Sequence, residues 1–471
     1  MVLGHEFLLL LTFTARAARR RVRRSFSERG TLAILAALVV VVRPFLASGE
    51  THNHEMTPSQ PVTGPALSLE QVTKTALTNN PSIKAARSTW QAKRERIEQQ
   101  AAWEDPKLSF RSLLGRFVDI GPNGFTDQMV SLEQAIPLSG KNRSQARIAV
   151  AEAVGAFQDL RRQELDVVAK VRASYFRLAN YYALLDLNRS NEASLEQSLE
   201  ITREKFEVGN QSQSDVLLAE TESQKIIEAR KDLEQKVSDE ESALKVLMNA
   251  DPFQHLGRPV VPSARPGAPS TEALRALTLA NRPEVLRAES DLAGAQGMLQ
   301  LARRQWFPDP MVMIEADHYN SSSRLASEVS GGVSFSLPWP NAKKYKAGER
   351  EAQDQIAAAQ QMLESTKTES LGKLRDQLQM VETMRHHLEL YETSILPTGN
   401  QTVSSAQADY ETGKTGFLNV LSSQRSLYDF QTMYQQDLTD YRVALAELEA
   451  LVGSNLGYFD EAQKPKRVHQ K

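Results

Sequence analysis

The chain has 471 residues, no cysteine and near-balanced charge, with 56 Lys and Arg against 58 Asp and Glu. Without thiols there is no disulfide frame, no thiolate metal site, no catalytic cysteine and no lipoprotein-type acyl anchor. A hydrophobic content of 41% with a mean hydropathy of −0.42 is too low for a polytopic helical membrane protein, and no stretch after residue 49 reaches the ~20 apolar residues of a spanning helix.

The N-terminus carries five arginines within residues 19–24, an apolar run over residues 32–42 and a Pro44-Phe45-Leu46-Ala47-Ser48-Gly49 boundary. These read as the three regions of a secretory signal over residues 1–49, with cleavage near Gly49. Past that point 48 basic side chains face 56 acidic ones, a net charge of about −8, which argues against nucleic acid as a partner. Residues 50–66 read as a flexible leader. His52 and His54 are too few for a metal site there, and no metal or cofactor site is expected elsewhere.

A first repeat is expected over residues 67–250. Ser68 opens a helix that runs to Asn79-Asn80-Pro81, where a second begins with proline in its first turn and continues to Trp103 before Asp105-Pro106 stops it. The period then changes to alternation, predicting a hairpin within residues 107–136, with strands 107–114 and 128–136. Val130, Leu132 and Ile136 fall on one face, and Ser131, Glu133 and Ala135 on the other. After Pro137, residues 140–208 read as one helix of 69 residues, roughly 100 Å long at about 1.5 Å per residue. Such a helix must project from any compact body. It ends at Phe206-Glu207-Val208-Gly209-Asn210-Gln211-Ser212-Gln213-Ser214-Asp215-Val216-Leu217, a turn in which Gly209 takes the left-handed conformation and Ser214 or Asp215 caps the returning helix.

Residues 251–270, with five prolines, read as an extended linker, and residues 271–455 repeat the first set of events. Asn281-Arg282-Pro283, Trp306 and Asp309-Pro310 follow their counterparts by 202, 203 and 204 residues, and Gly413 follows Gly209 by 204, so an internal duplication organises the chain. The second hairpin falls within residues 310–337, where Val329, Gly331, Val333, Phe335 and Leu337 alternate with Ser330, Gly332, Ser334 and Ser336. Its long helix carries Pro397, which should kink it. The second turn reads Tyr410-Glu411-Thr412-Gly413-Lys414-Thr415-Gly416-Phe417-Leu418-Asn419-Val420-Leu421. The returning helices carry coiled-coil spacing, as in Leu438, Tyr441, Leu445, Leu448 and Val452. Residues 456–471 read as a polar, disordered tail.

The fold class is therefore mainly α with a small β part: a duplicated helix-hairpin-helix unit built on long coiled coils. Four strands of about ten residues have membrane-crossing length. Four cannot close a barrel, and open edges are not tolerated in hydrocarbon. Three copies would supply twelve strands, with helices forming a matching tube; otherwise the hairpins form a soluble sheet capping a coiled coil. No Ser/His/Asp set, phosphate loop or HExxH sits in a context that supports catalysis, so an enzyme is not expected.

The opening Leu67-Ser68-Leu69-Glu70-Gln71, both Asn-x-Pro sites, Gln134-Ala135-Ile136-Pro137-Leu138-Ser139-Gly140-Lys141 and the paired glycine turns resemble the TolC-type outer membrane efflux proteins over residues 67–455. The resemblance implies a homotrimer with a twelve-stranded barrel in outer membrane lipid and a helical tunnel through the periplasm, with both turns at the far end. It implies that Gly209, Gly413, Val208 and Lys414 meet a periplasmic adaptor fed by an inner membrane RND-type or ABC transporter. Asp215, Ser214, Tyr410, Thr415, Asn419 and Ser422 then form the periplasmic gate. Thr415 stands where the family's namesake has the arginine of its latch, and Asn419 and Ser422 where it has constriction aspartates. The expected cargo is small toxic solutes, metal ions or drugs. The Pro-Leu-Ser-Gly-Lys and Leu-Pro-Trp-Pro boundaries lean toward the heavy-metal branch of CzcC and CusC, although His318, His386 and His387 offer no clustered ligand set. A type I protein secretion duct and a non-pore periplasmic scaffold are the alternatives.

Overall fold

The computed structural model describes residues 67–114, 126–262, 270–320 and 322–459. The expected signal segment, the leader with His52 and His54, part of the linker and residues 460–471 lie outside the described residues.

The described residues open with α1 (Leu69–Asn79) and α2 (Pro81–Ala101). The Asn80 side chain accepts from the Ser82 amide at 2.9 Å and donates to the Leu247 carbonyl at 2.8 Å, so the Asn-Asn-Pro motif both starts a helix and pins it to the end of another. Strands β1 (Lys107–Ser112) and β2 (Thr126–Ala135) lead to α3 (Lys141–Glu207), a single helix of 67 residues, and α4 (Gln213–Met248) returns beside it. The second repeat supplies α5 (Thr271–Asn281), α6 (Pro283–Arg304), β3 (Pro310–Tyr319) and β4 (Glu328–Phe335). A short turn at Trp339–Asn341 then leads into α7 (Ala342–Leu390), a π-helical segment at Tyr391–Ile395, α8 (Leu396–Glu411) and α9 (Phe417–Val452).

Pro397 acts just ahead of itself: the second long helix widens to a π turn over Tyr391–Ile395 and restarts at Leu396. Proline has no N–H to donate and its ring crowds the preceding turn, so one wide turn relieves both constraints. Gly399 lets α8 approach α9, because a Cβ there would meet the Leu427 side chain at 3.2 Å.

The sheet is antiparallel in the order β1-β2-β3-β4. Strand β1 is six residues long, against the eight expected over 107–114, and β4 is eight, against about ten. The β2–β3 register shifts between Thr126 and Gln128, a bulge near one end of the ladder between the two ten-residue central strands.

Both repeats feed one core, which includes Tyr175, Phe176 and Leu178 of α3 with Val72, Ile83, Leu244, Leu274, Leu374 and Leu448. The Tyr175 hydroxyl lies 2.7 Å from the carbonyls of both Leu67 and Val260, clamping the linker alongside the segment that leads into α1. Residues 456–459, expected in the tail, instead pack inward. Phe459 lies 5.0 Å from Phe176 between ring centroids, and Glu449 accepts from the amides of Leu456 and Tyr458.

Candidate functional site: two helical tips and an amphipathic sheet

The two turns lie side by side. Leu195 of α3, Ala219 of α4 and Tyr410, Phe417, Val420 and Leu421 of the second hairpin form one apolar cluster. Above it the chain reverses at Gly209, with φ of +78°, and at Gly413, with φ of +73°. Those are left-handed conformations that close a helix with least strain when no Cβ is present. Val208, Gly209, Gly413 and Lys414 are all exposed.

The first turn is held by its own side chains. Ser212 rather than Ser214 or Asp215 caps α4, its Oγ accepting from the Asp215 amide at 3.3 Å and donating to the Asp215 carboxylate at 2.7 Å. The helix begins one residue earlier than the expected cap, so Asp215 falls at the third helical position and answers the cap reciprocally. Gln211 also donates to Asp215 at 2.5 Å, and the hydroxyls of Ser212 and Ser214 are 2.7 Å apart.

The second turn lacks a side-chain cap: Gly416 occupies that position. Asn419 donates to Thr415 across one helical turn, and Ser422 donates to the Asn419 carbonyl at 3.0 Å. Tyr410 is buried against α3. Lys205 donates to the Tyr410 carbonyl at 2.8 Å and stands 3.8 Å from the ring centroid, a cation–π contact. The Thr202 and Tyr410 hydroxyls are 3.4 Å apart. Thus Asp215 bonds within its own turn, Tyr410 is tied to the first hairpin of its own chain, and Thr415, Asn419 and Ser422 form a separate group.

A second link was not legible in the sequence. Arg425 of α9 donates to buried Glu222 of α4 at 2.9 Å, and Lys225 reaches the same carboxylate at 2.8 Å. Burial works to raise the Glu222 pKa, but the hydrogen bonds and charges of Lys225 and Arg425 prevail and hold it below the usual carboxylate value. The surrounding grooves differ in charge. One of about 900 Å³ along α3 and α4 is lined by Glu196, Glu200, Glu204, Glu207 and Glu220 with Arg203. Another of about 450 Å³ along the second hairpin carries mostly hydroxyls and amides, among them Thr398, Gln401, Thr402 and Asn419.

At the opposite end of α3, the pairing places Leu108, Phe110, Val130, Leu132, Val312, Ile314, Ala316, Val329, Val333 and Phe335 on one face of the sheet. Ser109, Ser131, Glu133, Glu315, Asp317 and Ser330 share the other. Phe110, Ile314 and Val329 are 66%, 54% and 67% exposed, so the apolar face is bare in the single chain. Where the sheet meets the helices, Asp309 accepts from the Ser139 amide at 2.7 Å, the Ser139 hydroxyl at 2.8 Å and Lys141 at 2.9 Å. The Leu-Ser-Gly-Lys motif is therefore a clamp between the repeats. Burial opposes the Asp309 charge, but these donors outweigh it and lower its pKa.

Among the described residues no group of three or more His, Cys, Asp or Glu is placed to hold a metal. His318 pairs with Asp127 at 2.7 Å and His387 with Asp437 at 3.5 Å. Among the described residues no helix is long and apolar enough to cross a membrane.

The sequence model of the outer membrane efflux proteins matches residues 72–250 and 274–454, one stretch per repeat. The chain belongs to the outer membrane efflux protein family. The toluene efflux pump outer membrane protein TtgF of Pseudomonas putida is 24% identical over 387 residues, covering 78% of this chain and 79% of its own. The outer membrane channel OprN superposes with a TM-score of 0.71 at 17% identity, over 82% of this chain and 90% of that one. CusC, a transmembrane channel, gives 0.71 at 17% identity over 82% and 92%. The fold is that of these channels, and membership of the family makes this chain an outer membrane protein.

Proposed function

We propose that three copies of this chain close a twelve-stranded barrel in outer membrane lipid, continued by a helical tunnel as the exit duct of a tripartite efflux pump. The observation that carries this reading is the sheet: one apolar face, one polar face and, among the described residues, outer edges of β1 and β4 without a partner strand. Hydrocarbon accepts an apolar face but not an open edge, and neighbouring copies supply the missing pairing.

In this reading Gly209, Gly413, Val208 and Lys414 meet a periplasmic adaptor, which joins the duct to an inner membrane RND-type or ABC transporter. Asp215, Ser214, Tyr410, Thr415, Asn419 and Ser422 form the gate region. The cargo is small toxic solutes, metal ions or drugs, in keeping with relatives named for toluene efflux and a structural neighbour in CusC. The role is conduction, not catalysis.

Because the chain has no native cysteine, cross-linking across the edges reads cleanly. Cysteines placed in pairs along β1 and β4, starting with Phe110→Cys and Val329→Cys, are expected to give covalent trimers in detergent. Monomers and dimers throughout the scan would refute the barrel.

A further inference from the structure

We propose that a cavity at the foot of the sheet binds the phosphodiester headgroup of an anionic phospholipid from the leaflet that faces the periplasm. The inference rests on the membrane reading above. The cavity, about 750 Å³, lies between the end of α2, the start of α3 and the end of α6, and is lined by Arg143, Arg147, Arg303 and Arg304 with Trp103 and Leu138 at its rim. No Asp or Glu lines it.

Arg304 donates to the Ser139 carbonyl at 3.2 Å and Arg147 to Gln300 at 2.5 Å, which orients two guanidinium groups without neutralising them. Among the described residues none of the four arginines has an ion-pair partner. The carboxylate at this junction, Asp309, is already held by Ser139 and Lys141. Four permanent positive charges around one cavity repel each other unless an anion enters, and the planar fork of arginine matches phosphate oxygens two at a time.

The rim says which phosphate. Trp103 and Leu138 are 59% and 73% exposed, and Leu138 lies three residues beyond the end of β2, whose Val130 and Leu132 belong to the apolar face. An acyl chain lying along that face would carry its headgroup to this level. Indole rings favour that depth, where hydrocarbon gives way to water. A soluble anion has no use for an apolar approach. The second repeat sets Lys343, Lys344 and Lys346 in the first turn and a half of α7, with Lys344 5.7 Å from the Tyr345 ring and Trp306 tilted against that ring at 5.4 Å between centroids. The basic, aromatic level thus recurs in both halves.

The test is native mass spectrometry of detergent-purified protein after exchange with vesicles of phosphatidylcholine carrying phosphatidylglycerol at about one part in four. Phosphatidylglycerol should be retained preferentially, and Arg143→Gln with Arg303→Gln should cut that preference about tenfold. Arg375→Gln, on exposed α7 surface, should leave it unchanged. Equal retention of both lipids, or a preference untouched by the double variant, overturns the site. Displacement by inorganic phosphate at matched concentration reassigns the cavity to a soluble anion and overturns it too. Subunit dissociation of the double variant without altered lipid preference would mark a subunit contact instead. Protein that never enters vesicles refutes the membrane reading and this inference together, whereas protein that enters without preference refutes this inference only.

Discussion

The two hairpins share a turn and differ in what supports it. The first rises on one unbroken helix of 67 residues and closes on a reciprocal Ser212–Asp215 cap. The second is interrupted by the π segment at Tyr391–Ile395, restarts as a 16-residue helix and closes on Gly416 without a side-chain cap. Duplication has kept φ at the two turn glycines within a few degrees, +78° and +73°, while the bonds around them have diverged. The first hairpin is a strut, and the second is fastened to it through Lys205 to Tyr410 and Glu222 to Arg425. In the gate proposed above, the first hairpin would be the member that stays and the second the one that is released.

The largest effect should follow from Tyr410→Ala, which removes a buried ring from the shared cluster. A loss of about 3 kcal/mol should appear as faster amide exchange over residues 396–430, with α3 little changed. Equal loosening of both hairpins would break the distinction. Next, Arg425→Gln should cost about 1–2 kcal/mol, discounted because Arg425 is half exposed and Lys225 remains. This link has a definite pH sense. The folded-state pKa of Glu222 is lowered, so its contribution is complete above the ordinary carboxylate pKa and is lost as pH falls through the lowered value. Protection of the second-tip amides, taken relative to the intrinsic exchange rate at each pH, should therefore fall on acidification in the wild type and lose that dependence in Glu222→Gln.

Gly209→Ala and Gly413→Ala sharpen the comparison from the other side. An added Cβ meets nothing within 4 Å at either position, so only left-handed strain remains, about 1 kcal/mol each by thermal unfolding. Unequal losses would show that a turn is engaged beyond its backbone. The smallest contrast is Ser212→Ala, about 0.5–1 kcal/mol for a lost cap, against a lesser loss for Thr415→Ala, which caps nothing. Circular dichroism melts of the two variants should rank them in that order.

Much of this architecture was legible because periodicity and punctuation are local. Asn80-Pro81 and Asn281-Arg282-Pro283 marked helix starts, alternation at 329–337 marked a strand, and the spacing of Gly209 and Gly413 exposed the duplication. Pro397 announced a break, but the π turn lies ahead of it, where the missing N–H is felt. The cap was misplaced because Ser212, Ser214 and Asp215 are all competent and only the register of α4 decides among them. Glu222–Arg425 and Lys205–Tyr410 were invisible, since each joins residues about two hundred positions apart across the repeats. For Tyr410 and Asp215 the family resemblance named the residues, whereas the partners found within this chain are Lys205, Thr202, Gln211 and Ser212.

The most direct measurement is single-channel recording in a planar bilayer, comparing detergent-purified wild type with Arg425→Gln after both are shown to be trimers. The account predicts stable unitary steps of the same size from both, with the wild type closed for a larger fraction of the time. Trimeric protein that inserts yet never conducts would contradict the duct, and identical closed fractions would contradict the fastening of the second hairpin to the first.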